Sequence, residues 1–156
     1  MKEIIICNII AAAIVGAVLI PLALASSSPY KSQKDEVYEA ADKGGDALRS
    51  LMSEGISINS IDEHGKTALM DAADNNKPQI VQTLISNGAN VNMQDETGQT
   101  ALMMAAEDGS TQIVGMLLDA DAETRTRDYK GETALEKAEK AGFRDTSGFI
   151  GRSGEH

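Results

Sequence analysis

The sequence contains no tryptophan, and its aromatic side chains are limited to Tyr30, Tyr38, Tyr129, Phe143 and Phe149. A core must therefore be assembled from Ala, Leu, Ile, Val and Met. There is one cysteine, Cys7, inside an apolar N-terminal stretch and without the small preceding residues of a lipoprotein signal. The rest of the chain has no thiol, which suits an oxidising compartment without requiring one. No Asn-Xaa-Ser/Thr sequon occurs. A basic patch is missing as well, and the net charge is −10. That balance excludes a footprint for phosphate backbones and predicts repulsion of nucleic acid and anionic lipid. Phosphate loops, nucleophile motifs and dinucleotide fingerprints are equally absent.

What is present begins with an export-like segment. Residues 4–25 carry no charge, Lys2 supplies a short positive region, and Ala23-Leu24-Ala25 offers small residues where a signal peptidase cuts. Residues 1–25 are expected to be a cleaved signal peptide of bacterial type, with the product periplasmic or secreted. The competing reading is an uncleaved anchor, since a stretch of this length can span a bilayer. Pro21 and the Ala-Leu-Ala site favour cleavage, and no membrane contact is expected afterwards. Residues 26–34, polar and containing Pro29, read as a linker.

The remaining chain repeats itself. Gly65-Lys66-Thr67-Ala68-Leu69-Met70 returns 33 residues later as Gly98-Gln99-Thr100-Ala101-Leu102-Met103, and again as Gly131-Glu132-Thr133-Ala134-Leu135. Asp62, Asp95 and Asp128 precede the glycines at one constant distance. Such a period marks a solenoid whose units bury their apolar faces only against neighbours. The units run 62–94 and 95–127, between an imperfect copy over 35–61 and a decaying one over 128–152, with 153–156 as a disordered tail. Gly148 to Gly154 also read as disordered.

Each full unit holds two helices. The first runs from about Thr67 to Asn75 and from Thr100 to Asp108, with threonine as N-cap. Ala72-Ala73 and Ala105-Ala106 are small where helices of adjacent units approach. The second carries Ile80, Val81, Leu84 and Ile85, then Ile113, Val114, Leu117 and Leu118, a wide apolar stripe. Pro78 falls in its first turn, where a missing N–H costs nothing.

These residues resemble the ankyrin repeat: Asp-Xaa-Xaa-Gly-Xaa-Thr, then Ala-Leu, Ala-Ala, Ile-Val and Gly-Ala-Asn-Val-Asn. The resemblance covers Asp35 to about Ile150. It implies an all-α repeat solenoid of antiparallel helix pairs, with finger-like turns projecting from the stack and partner proteins bound by finger tips and the concave inner-helix face. The departures matter too. Met70 and Met103 replace the family's histidine, so its link to the neighbouring unit is expected to be lost. Asp121 replaces a C-cap glycine, and Arg125 replaces an asparagine. Thr133-Ala134-Leu135-Glu136 reads as a capping box. Thr146 and Ser147 stand where Ile and Val stood, so the last unit is expected to be a weak cap, more mobile after Asp121 than residues 62–120.

No catalytic residue, metal site or cofactor is expected. His64 lacks partners at useful spacing. The carboxylates Asp71, Asp74, Glu107 and Asp108 lack a calcium loop and read as an acidic binding surface. Met70, Met103 and Met104 could suggest soft-metal binding, but methionine as core filler is the simpler reading for such a set. Partner contacts are expected from Glu63, His64, Lys66, Glu96, Thr97, Gln99, Tyr129 and Lys130 at the finger tips, and from Asp71, Asp74, Asn75, Met104, Glu107 and Asp108 on the inner helices. Tyr129 and Met104 are the expected anchors. The sequence thus predicts a monomeric, non-enzymatic protein-binding module whose partner has a basic or mixed surface. Inhibitor or immunity protein and accessory factor are the roles considered; the alternatives are a secreted effector engaging host proteins, or an enzyme. Charge reversal at the four carboxylates is expected to weaken binding and leave melting nearly unchanged.

Overall fold

The computed structural model describes residues 31–154, so the expected signal segment 1–25 and residues 26–30 lie outside the described residues. The chain divides into two units, Met1–Lys31 and Ser32–His156, and every helix among the described residues belongs to the second. In order these are α1 (Gln33–Lys43), α2 (Gly45–Ser53), α3 (Ala68–Asp74), α4 (Pro78–Ser86), α5 (Ala101–Glu107), α6 (Thr111–Asp119), α7 (Ala134–Ala141) and α8 (Arg144–Ser153). No strand is formed among the described residues, apart from an isolated bridge between Ile61 and Thr67.

Four of the eight helices, α1, α3, α5 and α7, start where a side chain satisfies one of their free N–H groups. Thr67, Thr100 and Thr133 each accept from the amide three residues on, at Met70, Met103 and Glu136. Glu136 completes its box by accepting from the Thr133 amide at 2.7 Å. The Met70 sulfur lies 3.4 Å from the Thr67 amide, so the residue that replaces the family's histidine closes the same ring within its own unit. Pro78 occupies the first turn of α4.

Two layers result. The inner helices pack in sequence, α1 on α3, α3 on α5 and α5 on α7, while the outer helices pack α4 on α6 and α6 on α8. Ala72, Ala73, Ala105, Ala106 and Ala138 are sealed in the inner layer. Ile80, Val81 and Leu84, then Ile113, Val114 and Leu117, and finally Ile150 fill the outer one. Each such side chain contributes about 1.5–3 kcal/mol of burial.

Both ends differ from expectation. Helix α1 begins at Gln33 with Ser32 as its cap, so residues 33–34 belong to the first unit and not to a linker. A single residue, Gly44, separates α1 from α2, against Asn75–Lys77 in the next unit. Residues 148–153, read as disordered, form the second half of α8. They are held there because Ile150 is buried and Thr146 bonds to Thr111 Oγ1 at 2.8 Å. The threonine that broke the apolar pattern is thus a satisfied core group, and its hydroxyl also donates to the Gly109 carbonyl at 3.4 Å.

Candidate partner-binding surface

Each finger is built around one aspartate. Asp62 Oδ1 accepts from the amides of His64 (2.8 Å) and Lys66 (3.0 Å). Asp95 does the same for Thr97 and Gln99, and Asp128 for Lys130 and Glu132. The backbone closes the turn behind them, with the amides of Asp62, Asp95 and Asp128 donating to Lys66, Gln99 and Glu132. The recurring aspartates were visible in the sequence; their work as turn organisers was not.

The fingers are joined main chain to main chain. The Glu96 amide donates to the His64 carbonyl and the Tyr129 amide to the Thr97 carbonyl, both at 3.0 Å. This close approach is why Gly65 and Gly98 carry no side chain. A Cβ on Gly65 would lie 3.1 Å from the Glu96 amide, and one on Gly98 would lie 2.8 Å from the Tyr129 ring. The outer loops are stitched similarly, by Asn59 Oδ1 to the Asn90 amide and Asn92 Oδ1 to the Glu123 amide. At the third copy of that position Arg125 instead donates to the Gly154 carbonyl at 3.2 Å.

Joined fingers place their tips in rows. Glu63, Glu96 and Tyr129 form one row and His64, Thr97 and Lys130 the next, all exposed, with Tyr129 80% accessible. Gln99 is half-buried. Lys66 is half-buried too, and its ammonium lies 3.2 Å from Asp74 rather than standing free at a tip.

On the inner helices the structure corrects two expectations. Met104 is 4% exposed and belongs to the core, so it cannot serve as a surface anchor. It shares its repeat position with Lys137, whose side chain runs beneath the finger to Asp128 at 3.1 Å. That position points back into the stack. Second, three of the four carboxylates are already engaged. Asp71 binds the Lys34 ammonium, Asp74 binds Lys66, and Glu107 lies 3.4 Å from Lys137. Charge reversal at Asp71 or Glu107 would therefore disturb the fold as well as the surface. Asp74, Asn75, Glu107 and Asp108 are exposed, and Asp71 is half-buried. Burial, with Asp74 and Glu107 nearby, raises the Asp108 carboxyl above its ordinary range. The structure therefore does bring these three acids together.

Two buried lysines, which sequence reasoning missed, sit at the boundaries with the terminal units. Lys34 is flanked by Asp35, Asp62 and Asp71, and Lys137 by Glu107, Asp128 and Glu132. Burial works to lower both ammonium pKa values, yet the surrounding carboxylates outweigh it and hold them above the usual lysine range. Burial likewise pushes Asp62 and Asp128 up. Their backbone and lysine hydrogen bonds outweigh it and keep both low.

No group of three or more His, Cys, Asp or Glu side chains suited to a metal occurs among the described residues. No helix among them is long and apolar enough to cross a membrane.

Comparison with known families decides what this geometry is. The family model described as ankyrin repeats (3 copies) matches residues 10–95 and 69–149. The chain belongs to the ankyrin-repeat family. Ankyrin repeats are generally protein–protein interaction modules without enzymatic activity, and the ganged fingers and paired helices fit that use. No curated protein matches the chain.

Proposed function

We propose that this ankyrin-repeat chain is exported by its N-terminal segment and binds a partner protein in the periplasm or outside the cell. Contact is made by the finger-tip rows and by the inner-helix surface around Asp74, Glu107 and Asp108. The observation that carries this reading is the finger ribbon. Main-chain bonds at 3.0 Å hold the exposed tips at fixed spacing, so a partner meets a preorganised surface and the cost of ordering it falls. Tyr129, exposed at 80%, is the aromatic anchor.

The surface favours a basic or mixed partner. Although lysines occupy several of the carboxylates, acidic groups still outnumber them around Asp35, Asp62, Asp71, Asp74, Glu107, Asp108, Asp128 and Glu132. A rigid acidic scaffold fits the neutralisation of a basic enzyme or toxin, or an accessory role beside one. Co-purification of the full chain from a periplasmic extract, at low and at high salt, tests this. A protein retained at low salt and released at high salt is expected. The absence of any protein partner in both conditions contradicts the reading.

A further inference from the structure

The third finger repeats a socket that is filled twice elsewhere in the stack. In the first two fingers the tip carbonyl, of His64 or Thr97, accepts a main-chain amide from the next unit, and the glycine beside it is covered by that unit's backbone. At the third finger no described residue donates to the Lys130 carbonyl, and nothing lies within 4 Å of a Cβ placed on Gly131. Leu135 shows the same unfinished packing: it is half-exposed, although its counterparts Leu69 and Leu102 are 2% and 1% exposed. Beside Gly131 runs an open groove of about 490 Å³ lined by Glu132, Glu136, Glu139 and Lys140.

The charges in this groove are unequal in their freedom. Glu132 is held by Lys137 and Lys140, and Glu136 by Arg127 and the Thr133 amide. Glu139 is exposed and has no partner among the described residues. The end face therefore presents a main-chain acceptor, a bare glycine and a carboxylate without a partner among the described residues.

We infer that this end face docks an extended, basic segment of a partner protein, which continues the finger ribbon by donating a main-chain N–H to the Lys130 carbonyl. The two internal copies of the contact show what fits: backbone over glycine, with the amide 3.0 Å from the tip carbonyl. Strand addition of this kind draws affinity from main-chain bonds and specificity from side chains. Here a Lys or Arg of the segment pairs with Glu139. The inference rests on the protein-binding reading above and moves part of the contact from the inner helices to the end of the stack.

The test uses the full chain, isotope-labelled for amide NMR, titrated with a peptide of about ten residues alternating Lys and Thr, long enough to cross one edge. Saturable shifts at Lys130, Gly131 and Glu139 are expected. N-methylation of alternate peptide amides should abolish them, and Glu139→Lys should weaken binding about fivefold or more. Equal binding by the N-methylated peptide, or no saturable binding, overturns the inference. Shifts confined to Asp74 and Asp108 overturn it as well, while leaving the inner-face reading standing.

Discussion

The Lys137 ammonium lies 3.1 Å from the Asp128 carboxylate, with side-chain exposures of 4% and 2%. One unit earlier the same two positions hold Met104 and Asp95, and Asp95 takes the Thr97 hydroxyl at 2.7 Å instead. The stack thus satisfies its buried finger aspartates in two ways, by an ammonium from below or a hydroxyl from the tip.

Replacing Lys137 with methionine should therefore cost about 2 kcal/mol. That is less than the loss from a fully isolated buried charge, because Asp128 keeps the Lys130 and Glu132 amides. Adding Lys130→Thr should return about 1 kcal/mol by recreating the Thr97 arrangement. Urea denaturation of the two single variants and the double variant checks this. Strictly additive losses would show that the tip hydroxyl does not substitute for the lysine.

Close approach and backbone strain can be separated at the finger glycines. Gly98 and Gly131 have φ of 78° and 81°, but only Gly98 is covered by the next finger. Gly131→Ala should cost about 1 kcal/mol from the left-handed backbone alone. Gly98→Ala should cost about 1–3 kcal/mol more, because its Cβ meets Tyr129. Equal melting shifts in the two variants would contradict the packing of finger on finger.

Two non-glycine residues occupy positions where other units place glycine. Asn76 has φ 51° where Gly109 has 69° and Gly142 has 86°, and Asp121 has φ 61° where Gly88 has 90°. Asn76→Gly and Asp121→Gly should each stabilise by about 0.5 kcal/mol, since Asn and Asp tolerate this conformation only in part. Thermal melts read the gain, and a lowered melting point in both would refute it.

Most of this frame was legible in the sequence. Threonine caps and the alanine pairs predicted the first helices to within a residue, because each is dictated by local chemistry that recurs every 33 residues. The inner face was read less well. Lys34 and Asp71 are 37 residues apart and Lys137 and Glu107 are 30 apart, and no single position announces such a pair. Met104 shares its repeat position with the half-buried Asp71, and the position packs under the finger. The helix in the tail is hidden for a different reason. Gly148 and Gly151 lower helix propensity, yet the burial of Ile150 and the bonds of Thr146 override it.

The ion pairs set the pH range of stability. Asp35, Asp62 and Asp128 sit below their ordinary values, so the stabilisation they give is present at neutral pH and is lost as pH falls through their folded values. Lys34 and Lys137 are raised, so their contribution is complete below about pH 10.5 and is lost as pH rises through the folded values. Asp108 runs the other way, its ionised form being disfavoured in the fold, and its protonation opposes the first part of the acid loss. The melting temperature should hold a plateau from about pH 5 to pH 9 and fall below about pH 4. A decline beginning near pH 6 would contradict the assignment.

In the proposed function the exposed tips and the exposed inner-helix acids, held rigidly by the stack, carry the partner. Asp74→Lys with Asp108→Lys alters that surface without touching the buried lysines. The most direct measurement is the affinity of this double variant for the protein retained at low salt, taken beside its melting curve. At least about a tenfold loss of affinity is expected, in line with like charges opposed across an interface, with a melting point close to that of the unaltered chain. Unchanged affinity at unchanged stability would contradict it.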